Sequence, residues 1–219
     1  MKCLFLITTE MILFARKIGG GINLPLEGFG VRDRDIRTAL KEELEGTCAG
    51  EPDTLIIDEV GLCKGAVRVD IAVVNGTFNG YEIKSERDTL ERLPAQQEIY
   101  SKTFDTVTIV TSGRHVDKIM EQVPSWWGIT QAVVKEGKIG FRVIRQPVPN
   151  PRIDPFSLAQ LLWRDEAVTV LKEHGLADRM LSKPRRSLWQ KIADNLSIEE
   201  LREVVRERLK ARGNWRVVQ

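Results

Sequence analysis

The amino-acid sequence predicts an α/β fold with an all-helical C-terminal extension. A helical pattern comes first, followed by three strand patterns, a second helical pattern and a fourth strand pattern. The fourth strand is reached across a helix, so we expect it to run parallel to a neighbouring strand. Beyond residue 155 the patterns are helical only. Together these observations predict an αβββαβ core with a mixed sheet, followed by helices.

Each element of the core has a local signal. Apolar residues at helical spacing, after a Gly/Pro-rich loop at 19–30, predict a first helix over 32–45. Strongly apolar runs between turn signals predict four strands, at 54–60, 66–74, 78–85 and 106–112. Pro94 suits the first position of a helix, so the second helix is expected to begin there. The core ends with a helix at 115–123 and a hairpin at 131–144, which turns at Glu136-Gly137 or Gly137-Lys138.

The same patterns divide the chain into four parts. They are an N-terminal tail and loop at 1–30, an α/β domain at 31–146, a Pro-rich linker at 147–155 and a helical region at 156–219. The helical region contains three helical patterns, and a capping box formed by Ser197 and Glu200 opens the last one.

Composition excludes several classes of protein. The 219 residues, 42% hydrophobic and 29% charged, suit a soluble globular protein. Three cysteines without CxxC spacing argue against a disulfide framework or a zinc knuckle and indicate a reducing, cytoplasmic location. Two histidines are too few for a His-rich metal centre, so a metal would need oxygen ligands. The apolar stretch 3–14 contains Glu10 and is too short to span a bilayer, so we expect no signal peptide and no membrane partner.

Three charged residues in one predicted hairpin need an explanation. Asp70 lies on the second strand, and Glu82 and Lys84 lie two residues apart on the third. A three-residue loop, Val74-Asn75-Gly76 with Gly76 left-handed, would pair Asp70 with Gly80 and put both acids on one face, whereas a two-residue turn would separate them. We predict the three-residue loop, or an equivalent bulge near Gly80. Two converging carboxylates then suit Mg²⁺ or Mn²⁺, with Lys84 placed to polarise a water or neutralise a phosphate.

Asp70 followed by Glu82-Ile83-Lys84 in this order of elements resembles the PD-(D/E)XK nuclease superfamily, over about residues 32–112. On the second helix, Gln96 and Tyr100 are similar to the QxxxY motif of the RecB-like branch. The stretches DEVGLCKGAVRVDIAVVNG, RLPAQQEIYSKTFDTVTIV and VPSWWGI resemble a bacterial and phage branch related to MmcB-type DNA repair endonucleases. The resemblance implies a restriction-endonuclease-like core at 31–146 and metal-dependent cleavage of phosphodiester bonds.

The resemblance also implies a further acid from the first helix or the first strand. Glu43 and Glu59 are the two candidates for this additional metal ligand. Glu43 is expected on the buried face of the first helix. Glu59 lies on the first strand, where Asp58 would replace it if the strand shifted by one residue.

The helical region is the basic part of the chain, with 14 basic and 10 acidic residues over 151–219. Lys183, Arg185 and Arg186 open one of its helices and are candidates for binding nucleic acid, although solvated helix faces explain such charges equally well. DNA is therefore the expected partner, and a protein partner is a further candidate. The alternative to a nuclease is a nucleic-acid-binding or partner-docking module without turnover. Trp126-Trp127 could stack on bases but is more typical of a plug at the sheet edge.

Overall fold

The computed structural model describes residues 32–212, so the predicted tail and loop at 1–30 lie outside the described residues. Seven α-helices and six strands follow one another in this range. In chain order they are α1 (Asp33–Cys48), β1 (Leu55–Leu62), β2 (Val67–Val74), β3 (Phe78–Lys84), α2 (Leu93–Thr103), β4 (Thr106–Thr111), α3 (Val116–Gln122), β5 (Gly128–Lys135), β6 (Lys138–Arg145), α4 (Pro155–Ala159), α5 (Arg164–Glu173), α6 (Arg185–Asn195) and α7 (Ile198–Ala211). A 3₁₀ turn, Gly113–His115, precedes α3.

The six strands form one mixed sheet in the order β1-β2-β3-β4-β5-β6. β4 lies parallel to both β3 and β5, and the remaining neighbours are antiparallel. The α/β class, the αβββαβ order and the helical C-terminal extension are therefore confirmed. The hairpin between β5 and β6 turns at Glu136-Gly137, where both residues have positive φ, as one of the two predicted turns requires.

The loop between β2 and β3 has three residues as predicted, but it lies one position later. Val74 pairs with Phe78, and Ala72 rather than Asp70 pairs with Gly80. Gly76 does not have the positive φ that we predicted. Instead, the side chain of Asn75 accepts hydrogen bonds from the backbone and hydroxyl of Thr77, at 3.0 and 3.1 Å, which closes the turn without a left-handed glycine.

The regular alternation of side chains breaks where Glu59 of β1 faces Asp70 of β2. The ladder between the two strands omits this position, and Glu59 has a φ of 56°. On one side of the break Val69 packs with the larger hydrophobic cluster, and on the other side Ile71 packs with the smaller one. Odd-numbered residues of β2 therefore do not all face one side of the sheet, because the break reverses the alternation of side chains along the strand.

Hydrophobic layers cover both faces of the sheet. α1 packs its buried residues Ile36, Leu40, Leu44 and Cys48 on one face. α2, α3 and the C-terminal helices share the larger cluster on the other face. Trp126 and Trp127 are buried in that cluster, which agrees with a structural role rather than base stacking. No helix among residues 32–212 has the length and apolar character needed to cross a bilayer.

The predicted linker is extended chain that lies against the sheet domain. The side chain of Asn150 donates to the carbonyl oxygens of Ser101 and Phe104, each at 2.8 Å. Farther on, Arg202 of α7 forms an ion pair of 3.0 Å with Asp105 at the start of β4. The helical region and the sheet are thus connected by polar contacts as well as by the shared hydrophobic cluster.

Candidate active site

A buried carboxylate, Glu82, lies at the centre of the candidate site. Its side chain is only 3% exposed. Lys84 Nζ and Gln96 Nε2 each lie 2.6 Å from Oε1, and the hydroxyl of Tyr100 lies 2.7 Å from Oε2. A buried carboxylate is costly unless it is paired and hydrogen-bonded, so these three donors compensate for the burial of Glu82. We call these four residues the Glu82 cluster.

Local geometry explains why these side chains meet. Glu82 and Lys84 are two residues apart on β3 and therefore point to the same side of the sheet. Gln96 and Tyr100 are four residues apart on α2, so they share the helix face that packs on that side. The structure thus brings together the four residues that the sequence motifs single out on β3 and α2.

Tyr100 is held as a hydrogen-bond donor. Burial, and then the charge of Glu82, raise the pKa of its hydroxyl far above the ordinary value, so the phenol keeps its proton. The same hydroxyl lies 2.8 Å from the backbone oxygen of Arg68. A phenol has one proton, so it donates either to Glu82 or to the Arg68 carbonyl at any moment.

Asp70 lies beside the Glu82 cluster, at the point where the ladder between β2 and β3 ends. Its Oδ2 accepts a 2.7 Å hydrogen bond from the backbone N–H of Ile83, so a side chain replaces the regular β-sheet partner there. Burial, followed by the nearby charge of Glu82, raises the pKa of Asp70 to about 6. Asp70 and Glu82 are thus close enough to repel each other, as expected from a three-residue hairpin loop.

Arg37 of α1 is the main charged partner of Asp70, and the sequence analysis did not identify it. Its guanidinium lies 2.5 Å from Asp70 Oδ1 and 3.2 Å from the backbone oxygen of Asp70. It also contacts Asp33 at 3.3 Å and Glu59 at 3.8 Å. The only sequence signal was the spacing of Asp33 and Arg37 by one helical turn.

Neither candidate for a third acidic ligand contacts Asp70 or Glu82 in the way that we expected. Glu59 is 54% exposed and pairs with Arg68 at 2.9 Å, while its neighbour Asp58 pairs with Lys41 at 2.5 Å. Glu43 is exposed rather than on the buried face of α1. At 100° per residue it lies about 160° around the helix from Lys41, the residue that faces β1. Asp33 is the acid of α1 whose charge acts on Asp70.

Two carboxylates and one amide oxygen remain as oxygen ligands for a cation. Within residues 32–212 no group of three or more His, Cys, Asp or Glu side chains is arranged to hold a metal ion. Gln96 Oε1, however, is buried without a hydrogen-bond partner among the described residues. Mg²⁺ commonly uses only one or two carboxylates, with water and phosphate oxygens completing its shell. The donor set therefore fits Mg²⁺ or Mn²⁺ held by Asp70 and Glu82 only if Arg37 moves away from Asp70 and one of the donors moves away from Glu82.

Comparison with known proteins identifies the family. The sequence signature of the family described as "Bacteriophage P4 protein cII" matches residues 30–216. This chain belongs to the bacteriophage P4 protein cII family. Protein cII of Enterobacteria phage P4 is 27% identical over 184 residues, which cover 83% of this chain and 68% of the relative. A comparison of structures finds SPO1766, a protein of unknown function from Silicibacter pomeroyi, with a TM-score of 0.38 and 16% sequence identity. The match covers 80% of this chain and 99% of the SPO1766 chain.

The cII family match includes both the Glu82 cluster and the C-terminal helices. The family description states no activity and no substrate, so the resemblance to PD-(D/E)XK nucleases stays a prediction. The basic candidates of this cII family member lie at the start of α6. Lys183, Arg185 and Arg186 are exposed there, and they do not contact Asp70 or the Glu82 cluster.

Proposed function

We propose that this protein is a metal-dependent phosphodiesterase that hydrolyses DNA. One observation carries the proposal: Glu82, Lys84, Gln96 and Tyr100 form one buried hydrogen-bonded group beside Asp70, which is 19% exposed. Buried charged groups contribute little to folding stability compared with apolar residues of similar size. Clusters of charged side chains with a perturbed pKa occur preferentially at functional sites. A DNA substrate also agrees with the cytoplasmic location expected from the cysteines.

Asp70 and Glu82 would hold Mg²⁺ or Mn²⁺ through their carboxylate oxygens. When bound, such a cation supplies Lewis-acid stabilisation of the negative charge that develops on a phosphodiester. Its positive charge would also relieve the repulsion between the two carboxylates, which raises the pKa of Asp70 in its absence.

The remaining residues of the cluster have separate roles. Lys84 provides a cationic donor next to Glu82, and this position suits the orientation of a water or the neutralisation of a phosphate oxygen. Gln96 donates to Glu82 through its nitrogen and keeps its oxygen available to accept a hydrogen bond. Tyr100 keeps its proton and orients Glu82 Oε2. Gln96 and Tyr100 are therefore positioning residues.

A second candidate function is a nucleic-acid-binding or partner-docking module without turnover. The contact between Arg37 and Asp70 favours it, because a cationic side chain already neutralises the more exposed carboxylate. Both oxygens of Glu82 have donors as well, so the charge of Glu82 is compensated without any ligand. In this case activity would be absent, or it would depend on a protein partner that displaces Arg37.

The test is cleavage of labelled single-stranded, duplex and branched DNA by purified protein with Mg²⁺ or Mn²⁺. Asp70→Asn and Lys84→Met remove one member each, and Glu98→Gln is the matched control. Glu98 lies on α2 between the two motif residues, but it is 70% exposed and contacts Lys102 instead. Wild type and Glu98→Gln should cleave, whereas Asp70→Asn and Lys84→Met should retain a folded circular dichroism spectrum and lose cleavage.

Absence of cleavage by wild type on every substrate would refute the proposed enzyme. If all four proteins then bound DNA equally, the binding module would be the better explanation. Cleavage that persists in Lys84→Met would instead show that the Glu82 cluster is not the site of the reaction.

A further inference from the structure

A cavity lies between the sheet and the C-terminal helices, away from Asp70 and the Glu82 cluster. It has a volume of about 440 Å³, within the range of small-ligand pockets. Its lining includes Gly61 of β1, Lys64 of the following turn, Arg185 and Trp189 of α6, and Arg212 after α7. The lining thus contains three basic residues and no acidic residue, and this charge selects for an anion.

One of the three cations has a structural role. Arg212 pairs with Glu166 through two hydrogen bonds of 2.7 and 2.5 Å and donates to the backbone oxygen of Leu161 at 2.6 Å. Its guanidinium also lies 4.3 Å from the centre of the Trp163 ring. Arg212 therefore stabilises one wall of the cavity, and its charge is balanced by Glu166.

The other two cations have no ion-pair partner among the described residues. Lys64 and Arg185 are exposed, and they lie 5.6 and 5.5 Å from the centre of the same Trp189 ring. Trp189 is buried and donates its indole N–H to the backbone oxygen of Leu162 at 2.9 Å, so the ring is a fixed support for both charges. Two cations held against one ring without an acid form a preorganised site for an anion.

The backbone on both sides supports this arrangement. Lys64 lies in a turn of three consecutive residues with positive φ, Cys63 at 48°, Lys64 at 62° and Gly65 at 80°. Arg185 occupies the first turn of α6, where a basic residue is unfavourable for the helix dipole. The positive φ values belong to the tight turn between β1 and β2. The position of Arg185 is not explained by the stability of α6, and an anion bound near it would offset this unfavourable charge.

We propose that Lys64 and Arg185 bind phosphate groups of a single nucleic-acid strand in this cavity. A cavity of about 440 Å³ has room for a small phosphate-bearing part of an unpaired strand, but not for a duplex. The cavity lies one strand away from the candidate active site. Gly61, which lines the cavity, pairs with Arg68 of β2, and the backbone oxygen of Arg68 accepts a hydrogen bond from the Tyr100 hydroxyl. The inference rests on the nucleic-acid part of the proposed function, but it does not require cleavage.

The experiment is a fluorescence anisotropy titration of a labelled single-stranded oligodeoxynucleotide in EDTA, over a series of salt concentrations. The variants are Lys64→Gln, Arg185→Gln and their combination. Lys172→Gln is the matched control, because it removes one positive charge from an exposed position of α5 that does not line the cavity. Lys64 and Arg185 are exposed, so all variants should unfold at the temperature of the wild type.

We expect the double variant to bind about tenfold more weakly than wild type and Lys172→Gln to bind within about twofold of it. The slope of log affinity against log salt should fall by about 1.4 in the double variant, since each phosphate contact with a single strand contributes about 0.7. A double variant that binds like Lys172→Gln, or a wild type that binds no strand, overturns the proposal. Because EDTA removes divalent cations, these outcomes are independent of the cleavage assay.

Discussion

The raised pKa of Asp70 predicts an unusual dependence of folding stability on pH. Burial and the charge of Glu82 raise this pKa from 3.8 to about 6, while Arg37 and the Ile83 N–H oppose the increase. At Asp70 the folded state then binds a proton more tightly than the unfolded chain, so the contribution of Asp70 to stability is highest at low pH and falls as the pH rises through this interval. The difference between the two pKa values corresponds to roughly 3 kcal/mol, of which about 2 kcal/mol is lost between about pH 4.5 and 7.

The effect is measured by urea unfolding of wild type and Asp70→Asn over this pH range. Subtracting one curve of unfolding free energy against pH from the other removes most of the contribution of the other titratable groups. The wild type should lose about 2 kcal/mol relative to Asp70→Asn as the pH rises. A Glu82→Gln background should reduce the change without abolishing it, since burial is the larger cause. Asp33 also contacts Arg37, and its charge raises the pKa of Asp70. Asp33→Asn therefore tests how much of the pH dependence comes from Asp33.

Added Mg²⁺ should restore stability to the wild type at neutral pH and leave Asp70→Asn unchanged, because a cation that binds only the folded state stabilises it. A difference between wild type and Asp70→Asn that is constant from about pH 4.5 to 7 would refute the reasoning. It would show that Asp70 titrates at its ordinary pKa and that the Arg37 ion pair fully offsets the effects of burial and of the Glu82 charge on that pKa.

Three further predictions concern stability, measured by urea unfolding. Tyr100→Phe should cost about 1–3 kcal/mol, because the buried Oε2 of Glu82 loses its hydrogen-bond donor. The variant should keep the circular dichroism spectrum of the native protein. Gly80→Ala should cost about 1–3 kcal/mol, because the added Cβ would lie 2.8 Å from a buried phenylalanine ring; Gly46→Ala, where nothing lies within 4 Å, should instead stabilise by about 0.5–1 kcal/mol. Arg202→Met should cost about 1–3 kcal/mol, because it leaves the buried carboxylate of Asp105 without the ion pair that links α7 to the sheet. Equal effects of the two glycine substitutions, or a neutral Arg202→Met, would contradict the packing described above.

The part of the site that depends on local spacing could be predicted from the sequence. The residues of the Glu82 cluster are placed by two rules, alternation along β3 and the four-residue repeat on α2. The convergence of Asp70 on the same place followed from an even-numbered hairpin register. The register differs from the predicted one by two residues, since Gly80 pairs with Ala72 instead of Asp70. The reason is that the side chain of Asn75, and not a left-handed Gly76, closes the turn.

The rest of the site depends on contacts between residues far apart in the sequence. Arg37 reaches Asp70 across 33 positions, and no local pattern links them. The break in alternation at Glu59 requires a positive φ at a non-glycine residue, which the sequence does not indicate. Glu43 was assigned to the buried face by its helical spacing from Ile36 and Leu40. The buried residues of α1 instead follow one another every four positions, from Ile36 to Cys48, and Glu43 is exposed beside them.

The exposure of the charged residues indicates how a ligand would approach the candidate active site. Glu82 and Lys84 are almost fully buried, at 3% and 6% of their side chains, whereas Asp70 and Arg37 remain 19% and 23% exposed. A cation or phosphate from solvent would therefore meet the pair of Asp70 and Arg37 first and reach the Glu82 cluster only after that pair separates. Arg37 contacts Asp70, Asp33 and Glu59, so a cation would compete with Arg37 for Asp70, and a phosphate would compete with three carboxylates for the guanidinium. Either ligand would therefore have to separate Arg37 from Asp70, and this step is common to the two proposed functions of the site.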